Sequence, residues 1–308
     1  MKARAEVAFR LACCLDVAVR KPGNVSLASP GHGMAARHFL DSARVAGPVL
    51  FQPGATVGAR IEQAVSATRA VAGCNTNLGI VLLTAPLAAA LEAAPDEPVA
   101  TGPWQQATEG VLHALTRDDA AAAFRAIALA APGGLGKVPD QDVHAPPTVT
   151  LRDAMALAAP RDRVAMQYMQ AHDDVFHPLL NTLRTAWRQR MESGPPGGDG
   201  ARAALVHSVQ MTFLHALSHW PDSHVARKHG EAAAQQIMTE ARPWLARGHS
   251  GVGFDGLLAW QDWDSALKAR GLNPGTSADL TVATLLVAAL TEPDWAEAAM
   301  ALVGAMPD

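Results

Sequence analysis

Apolar residues recur at three- and four-residue intervals along most of the chain, which is the spacing of one face of an α-helix. In the first such stretch, Val7, Leu11, Cys14, Leu15 and Ala18 share one face. Few windows show the strict alternation of a half-buried strand. The pattern therefore predicts an all-α fold, and we expect further helices over about 36–50, 57–73, 78–87, 103–116, 117–131, 161–191 with an interruption at Pro178, 201–220, 230–248, 254–271, 277–291 and 294–306.

Polar, glycine- and proline-rich segments separate these predicted helices. The segment over 132–150 is too rich in glycine and proline for a long helix, and irregular stretches of that length are often functional. The segment near 193–200, "ESGPPGGDG", has the composition of a flexible linker. It could divide two domains, but the chemical likeness of early and late loops favours one domain over 1–308. We expect a single large orthogonal helix bundle whose polar loops converge on a central cleft.

Composition excludes several classes of protein. The 308 residues are 49% hydrophobic and 18% charged, so the chain can bury a large core. A net charge of −4 argues against the basic face that nucleic-acid binding needs. It leaves a small anionic ligand such as a nucleotide open, because a helix start and a few basic side chains suffice to hold one.

Targeting signals and disulfide patterns are not evident. The first 23 residues carry charges at Arg4, Glu6, Arg10 and Asp16, which argues against a signal peptide. No stretch has the length and flanks of a membrane span. The three cysteines show no CxxC spacing, and adjacent Cys13–Cys14 are badly placed to pair with each other. We therefore expect a cytoplasmic protein with reduced thiols and no membrane partner.

Two polar loops in the first third of the chain carry groups suited to phosphate. In "KPGNV", Gly23 allows close backbone approach and Lys21 supplies a mobile positive charge, although a Pro-Gly turn after a helix is also common for structural reasons. In "GCNTNLG", Asn75, Thr76 and Asn77 exceed what one helix cap needs. With the free N–H groups of a helix start, they would form a neutral site for phosphate or ribose.

A third loop, "WPDSHVARKHGEAA", combines an acid, a histidine and two cations. Asp222 or Ser223 is expected to cap a helix that carries His224, Arg227 and Lys228. Asp222 and His224 could then lie near a metal ion, while Arg227 and Lys228 could face phosphate. A capped, solvated helix is the structural alternative.

A fourth loop, "LNPGTSADLTVATLLVAAL", copies the second in design, since a small polar loop leads into a very apolar helix. Thr276 or Ser277 is expected to cap that helix. Asp279 would fall in its first turn, where the helix dipole favours a carboxylate. That structural role explains Asp279 by itself, and the functional interpretation rests on the likeness to the second loop.

Further acids favour magnesium over zinc. Asp173 and Asp174 lie between His172 and His177, whose spacing is not that of a helical zinc pair, and no HExxH motif occurs. Carboxylates facing phosphate-binding loops suit Mg²⁺, so the sequence predicts Mg²⁺ as cofactor with Asp173 and Asp174 among its ligands. A GxGxxG motif at 251–256 lacks the preceding strand of a dinucleotide fold, and P-loop and GxSxG motifs are absent.

Together the four loops resemble the triphosphoribosyl-dephospho-CoA synthase family. The similar stretches occur in the family's order over about 21–290; they are "KPGNV", "GCNTNLG" with "LLTAPLAAA", "PDSHVARKHG" and "NPGTSADL". The resemblance implies an all-α fold and an enzyme that joins ATP to 3′-dephospho-CoA. In that reaction a ribose 2′-hydroxyl attacks C1 of the ATP ribose, adenine leaves, and the triphosphate stays on the product.

The resemblance also implies a role for each residue of the matching motifs. Departing adenine leaves positive charge at C1, which carboxylates can stabilise, and the attacking hydroxyl needs a base. Asp222 and Asp279 are the candidate catalytic residues and also candidate metal ligands. The implied nucleotide- and phosphate-binding residues are Lys21, Gly23, Asn24, Asn75, Thr76, Asn77, Arg227, Lys228 and Ser277.

Two departures from the family pattern bear on the substrate. Lyase-associated members typically read "NTHKG" where this chain has 75–79, and carry "GAHxDMD" where it has "SPGHGMAARHF". His32, with Arg37 or His38, is a candidate replacement for the groups that differ. The "NTNLG" form, with "LLTAPL", "GGLGKVPDQDV" and "LAAPRDRVAMQY", is more similar to a subgroup of archaea and methylotrophic bacteria, in which one-carbon cofactor pathways are suspected.

Three hypotheses follow for the activity. The first is an ATP- and Mg²⁺-dependent transferase that acts on dephospho-CoA. The second is a related nucleotide-dependent step on a precursor of tetrahydromethanopterin or methanofuran. The third is a nucleotide-binding or scaffold protein without catalysis. The sequence leaves the oligomeric state open, with a homodimer among the options.

Overall fold

The computed structural model describes residues 2–93, 99–134, 140–194 and 197–305. These residues form fifteen α-helices and no strand, which confirms the predicted all-α fold. The helices are α1 (Lys2–Ala18), α2 (Ala36–Leu50), α3 (Val57–Ala72), α4 (Leu78–Ala93), α5 (Thr101–His113), α6 (Arg117–Ala130), α7 (Leu151–Ala158), α8 (Arg163–Met169), α9 (Leu180–Ser193), α10 (Gly198–His219), α11 (Ser223–His229), α12 (Glu231–His249), α13 (Leu258–Ala269), α14 (Gly275–Thr291) and α15 (Pro293–Gly304).

The chain separates into two compact units, which are described one at a time below. The first unit comprises residues 1–10 and 37–174, and the second comprises residues 11–36 and 175–308. The single domain and central cleft expected from the sequence remain predictions. So does the linker near 193–200, of which Pro195 and Pro196 lie outside the described residues.

The long helical stretch predicted over 161–191 is interrupted at Pro178, as expected, and is also broken earlier. After α8, Ala171 and His172 adopt left-handed backbone angles, with φ of 49° and 56°. A short π-helical segment, Val175–Leu179, then contains Pro178 and leads into α9. The sequence prediction also lacked α7, an eight-residue helix that begins after the irregular segment and is capped by Thr150. Residues 135–139 of that irregular segment lie outside the described part of the chain.

A proline inside α4 shapes the core of the first unit. Pro86 has no N–H, so the carbonyl of Leu82 loses its helical partner. The Tyr168 hydroxyl donates to the Leu82 carbonyl at 2.8 Å, and His172 Nε2 lies 3.1 Å from the Leu83 carbonyl. Burial raises the pKa of Tyr168 and lowers the pKa of His172 to about 4, so both side chains are neutral at pH 7. His172 is therefore a core residue that completes the hydrogen bonding of α4.

Two apolar helices form the centre of the second unit. Helix α14 is buried from Thr276 to Leu290 except at the half-buried Asp279, and its Thr281 and Thr284 hydroxyls donate to carbonyls one turn back. Helix α10 is buried over most of its length and packs against α9, α12 and α14. These rigid helices hold the loops at their ends. Among the described helices, none has the length and hydropathy that crossing a bilayer requires.

Candidate functional site

The second polar loop belongs to the first unit, where its three polar side chains each have a structural partner. Asn75 Oδ1 accepts from Leu78 N at 3.1 Å and so caps the start of α4. Thr76 Oγ1 lies 2.7 Å from Ser42 Oγ, and Asn77 Nδ2 donates to Thr68 Oγ1 at 3.1 Å. Gly73 ends α3 in a left-handed conformation with φ of 67°, as predicted. The loop is thus tied to α2 and α3, which fixes the orientation of the α4 start.

Asp173 and Asp174 also lie in the first unit, and Asp174 is already paired. Arg163 binds the buried Asp174 with two hydrogen bonds, Nε to Oδ2 at 2.7 Å and Nη2 to Oδ1 at 2.8 Å. Gln167 Nε2 donates to the same Oδ2 at 2.5 Å. Both carboxylate oxygens of Asp174 are therefore occupied by protein donors, which does not fit the predicted magnesium ligand. Asp173 is exposed.

In the second unit, the first polar loop holds Lys21 in a position that its sequence did not predict. The Lys21 side chain is fully buried, and its Nζ lies 2.9 Å from Asp16 Oδ1. Nζ also donates to the backbone carbonyl of Asp16. The expectation of a mobile positive charge is wrong, because an ammonium group that has lost its hydration is held by the carboxylate that compensates it. A contact between Lys21 and phosphate remains a prediction.

The next residues of this loop pack directly on the fourth loop. Asn24 Nδ2 donates to Asn273 Oδ1 at 3.0 Å, and Gly23 N donates to Asp264 Oδ1 at 2.8 Å. Gly23 has φ of +81°, and a Cβ at this position would lie 2.7 Å from Pro274 Cδ. Only glycine suits both the backbone angle and the close approach. The structure thus brings the first and fourth loops together, although they are about 250 residues apart.

Two tight turns follow and place a histidine beside Gly23. Backbone hydrogen bonds close a turn between residues 26 and 29 and another between residues 31 and 34. The two central residues of the second turn, His32 and Gly33, have φ of 56° and 75°. That pair of positive angles is typical of a type I′ turn. His32 Nε2 lies 2.8 Å from the Gly23 carbonyl, so the turn is anchored to the first loop.

The third loop is joined to the fourth by an exchange of caps. Asp222 caps α11, since its Oδ1 accepts from Val225 N at 3.0 Å. Its Oδ2 reaches the start of α14 and accepts from both Ser277 N at 2.8 Å and Ser277 Oγ at 2.9 Å. In return, Thr276 Oγ1 accepts from His224 N at 3.1 Å. Burial raises the pKa of Asp222, while the hydrogen bonds from Ser277 and Val225 act in the opposite direction.

Two details of the fourth loop correct the sequence-based expectations. Neither Thr276 nor Ser277 caps α14, because the helix begins at Gly275 and the carboxylate of Asp222 takes the capping role. Asp279 consequently lies beyond the first turn. Asp279 is half-buried. The pKa of the Cys13 thiol is raised mainly by the burial of Cys13, and the negative charge of Asp279 is a smaller cause.

Helix α11 places basic groups at this junction. His224 and Arg227 are half-buried, and Lys228 is exposed. Arg227 Nη2 lies 3.5 Å from His224 Nδ1. Burial, then the charges of Arg227 and Lys228, lower the pKa of His224 to about 4, and His32 adds to the effect. His224 is therefore neutral at pH 7 and cannot attract phosphate by charge, whereas Arg227 and Lys228 can.

Sequence reasoning missed three residues that build this junction. Asp264 is fully buried and accepts from Ser29 Oγ at 2.6 Å and from Lys268 Nζ at 3.0 Å, in addition to Gly23 N. Asn273 orients Asn24. Asp264 and Lys268 are four residues apart in "DSALK", the spacing at which opposite charges pair on a helix. Ion pairs at this spacing usually lie on the surface, so the spacing does not indicate a buried site. Nothing in their spacing indicates contact with a loop near residue 23.

Asp222 and Asp174, two of the four magnesium ligands that the sequence proposed, do not fit a resident ion, and Asp173 and Asp279 remain predictions. Both oxygens of Asp222 accept hydrogen bonds from the protein, and both oxygens of Asp174 are bound by Arg163. Within the described ranges, no three His, Cys, Asp or Glu side chains are grouped so that they could hold an ion. We therefore derive no chemical step from a resident ion. Magnesium already bound to the phosphates of ATP would enter as part of the substrate.

The described residues form an all-helical protein in which the first, third and fourth polar loops are joined by direct hydrogen bonds. The sequence model of the ATP:dephospho-CoA triphosphoribosyl transferase family matches residues 2–298. The chain belongs to this family, which confirms the resemblance seen in the four loops. The protein is thus an enzyme of the triphosphoribosyl-dephospho-CoA synthase type.

A solved structure shares the fold. The chain is similar to a protein of Archaeoglobus fulgidus that is provisionally named a triphosphoribosyl-dephospho-CoA synthase, with a TM-score of 0.59 and 20% sequence identity. The similarity covers 83% of this chain and 99% of the archaeal one. At that identity the likeness supports the fold alone. No curated protein matches the sequence significantly.

Proposed function

We propose that the protein transfers the triphosphoribosyl group of ATP to a hydroxyl of 3′-dephospho-CoA, and that the loop junction of the second unit holds the triphosphate. Direct hydrogen bonds between three motifs that are far apart in the sequence carry this proposal. Asn24 contacts Asn273, and Asp222 contacts Ser277. Helix ends can be stabilised by caps from neighbouring residues, so stability alone does not require hydrogen bonds between these particular loops.

The charges at the junction support binding of a polyphosphate. Arg227 and Lys228 lie in the last turn of α11, and Arg227 contacts His224, whose backbone N–H is bound by Thr276 of α14. Guanidinium and ammonium groups form the strongest protein hydrogen bonds to phosphate oxygens. Burial lowers the pKa of His224 to about 4, so this half-buried histidine adds no positive charge to that of Arg227 and Lys228 at pH 7.

The same hydrogen bonds support different roles for the other predicted residues. Gly23, Asn24 and Ser277 shape the junction and hold its loops in register. Asp222 acts as a positioning residue, because its oxygens are committed to helix starts. Asn75, Thr76 and Asn77 belong to the first unit, and their contact with the nucleotide remains a prediction. Asp279 remains a candidate for stabilising the positive charge at C1.

The proposed chemistry is a substitution at C1 of the ATP ribose. The 2′-hydroxyl oxygen of the acceptor bonds to C1, and the bond from C1 to N9 of adenine breaks with its electron pair on N9. The hydroxyl loses its proton and adenine gains one, so no oxidant or reductant is needed. The triphosphate is untouched and serves as a handle whose binding energy positions C1.

Adenine release tests this proposal. The protein is incubated with ATP, MgCl₂ and 3′-dephospho-CoA, and free adenine and the acceptor are followed by liquid chromatography and mass spectrometry. We expect adenine and triphosphoribosylated dephospho-CoA to appear in equal amounts, and neither to appear without the acceptor. ADP in place of adenine would contradict the proposal. Turnover only with a pterin or furan precursor would support the second hypothesis, in which the acceptor is a precursor of a one-carbon cofactor.

A further inference from the structure

We propose that His32 is the general base that removes the proton from the attacking hydroxyl, with Nδ1 as the accepting atom. The inference rests on the proposed transfer reaction and adds a catalytic residue to it. It replaces Asp222, which the sequence favoured together with Asp279. Three observations support it: the hydrogen bond that fixes the tautomer of His32, the turn that fixes its position, and the charges around it.

The tautomer of His32 follows from its hydrogen bond. Nε2 lies 2.8 Å from the backbone carbonyl of Gly23. A carbonyl oxygen can only accept, so Nε2 must carry the hydrogen. In the neutral ring Nδ1 then has a lone pair and can accept a proton. Among the described residues, no group donates to Nδ1. The carbonyl of Gly23 would also stabilise the imidazolium that forms when Nδ1 is protonated.

Backbone hydrogen bonds fix the turn that carries His32. The two hydrogen bonds between Gly31 and Met34 close it, at 3.1 and 2.9 Å. The φ of 56° at His32 is one that asparagine and glycine adopt most readily. A purely structural turn would favour Asn-Gly at these positions, whereas this chain has His32-Gly33. The turn thus holds the imidazole of His32 in a defined position beside Gly23.

The groups around His32 keep it neutral at working pH. Partial burial lowers its pKa below the ordinary value of 6.5, and Lys228 on α11 and Lys268 on α13 lower it further. The Gly23 carbonyl and Asp264 act in the opposite direction. His224 on α11 is also close enough to interact with it electrostatically. A base that is unprotonated at neutral pH and lies near Lys228, one of the two cations proposed to hold the triphosphate, is suited to this step.

The buried carboxylates of the junction, Asp222 and Asp264, are poorly placed to act as the base. Asp222 has three protein donors on its two oxygens, and Asp264 accepts from Gly23 N, Ser29 Oγ and Lys268 Nζ. A carboxylate so occupied cannot turn toward a substrate without breaking the loop junction. Asp279 is the remaining acidic candidate, and the experiment below compares it with His32 directly.

The proton balance of the step is simple. Nδ1 takes the proton of the 2′-hydroxyl as its oxygen bonds to C1, and the bond from C1 to N9 breaks with its electrons on N9. His32 is left as the imidazolium. The departing adenine gains a proton from solvent, and His32 returns its own proton to solvent before the next turnover.

The test compares His32→Asn with Asp279→Asn and wild type. Asparagine suits the type I′ turn and keeps an N–H donor, but it cannot act as a base, so His32→Asn should fold as well as wild type. We expect kcat for adduct formation to fall about 10²- to 10³-fold while the Kd for MgATP changes less than about twofold. In wild type, kcat/KM should rise with pH and level off at an apparent pKa below 6.5. His32→Asn should not show this loss of kcat/KM at acidic pH, which we call the acidic limb.

Chemical rescue provides the second readout. His32→Gly keeps the left-handed backbone without strain and removes the ring, so added imidazole should restore part of its activity. If His32 only anchors the turn, His32→Asn will retain kcat and imidazole will have no effect, which overturns the inference. The inference also fails if Asp279→Asn, rather than His32→Asn, abolishes the acidic limb. Absence of any adduct with wild type would instead refute the proposed function itself.

Discussion

Gly23→Ala is expected to lower the free energy of unfolding by about 3–5 kcal/mol and to reduce adduct formation more than tenfold. Two independent causes add at this position. The backbone angle of +81° is strained for alanine, and its Cβ would lie 2.7 Å from Pro274 Cδ and 2.9 Å from the Leu272 carbonyl oxygen. Neither neighbour is the end of a flexible side chain, so the loop itself would have to move away from the fourth loop.

Gly33→Ala is the matched control for that variant. Gly33 has nearly the same angle, +75°, but a Cβ there meets no atom within 4 Å. The free energy of unfolding of the control should fall by about 1–2 kcal/mol, the cost of placing alanine at a left-handed backbone angle. Urea titrations of the two variants measure the difference directly. Equal losses for both would mean that the first and fourth loops are not in contact in solution.

Asp222→Ala is expected to cost about 3–4 kcal/mol of stability and to remove activity, because one carboxylate serves two helix starts. The change leaves Val225 N, Ser277 N and Ser277 Oγ without their acceptor in a buried region. The raised pKa of Asp222 shows that its charge is itself costly to bury, which offsets part of the loss.

Three further variants separate the contributions to that loss. Ser277→Ala removes only the hydroxyl donor and should cost about 1 kcal/mol. Asp222→Asn keeps the size of the side chain but presents an amide group to one of the donors, so we expect an intermediate loss. Asp294→Ala removes an exposed carboxylate from the first turn of α15 and should cost less than about 1 kcal/mol. A loss for Asp222→Ala no larger than for Asp294→Ala would contradict the cap exchange.

Much of the fold could be predicted from the sequence, because its signals are local. Helical periodicity, the cap at Gly73 and the break at Pro178 depend on residues close together in the chain, and each was confirmed. Helix α7 was missed because eight residues give too short a period to stand out. The family could also be recognised, since its motifs are short stretches that keep their order.

The contacts within the site could be predicted only in part, because they depend on residues far apart. Lys21 was expected to be mobile, yet the sequence does not show that Asp16 lies against its ammonium group. The α14 cap was sought in Thr276 and Ser277, but it is supplied by Asp222, 55 residues earlier than Ser277. Asp264 was overlooked because its main partner, Gly23, is 241 residues away. Periodicity and propensity carry no information about such pairs.

Binding of MgATP to the second unit's loop junction is the central claim, and calorimetric titration tests it most directly. The site variant is Arg227→Gln with Lys228→Gln. The control is Arg188→Gln with Arg202→Gln, which removes the same charge from exposed positions on α9 and α10. At equal ionic strength, we predict that the site variant binds MgATP about 30-fold more weakly than wild type, about 2 kcal/mol, and that the control stays within about twofold. A site variant that binds MgATP as tightly as the control would contradict the account.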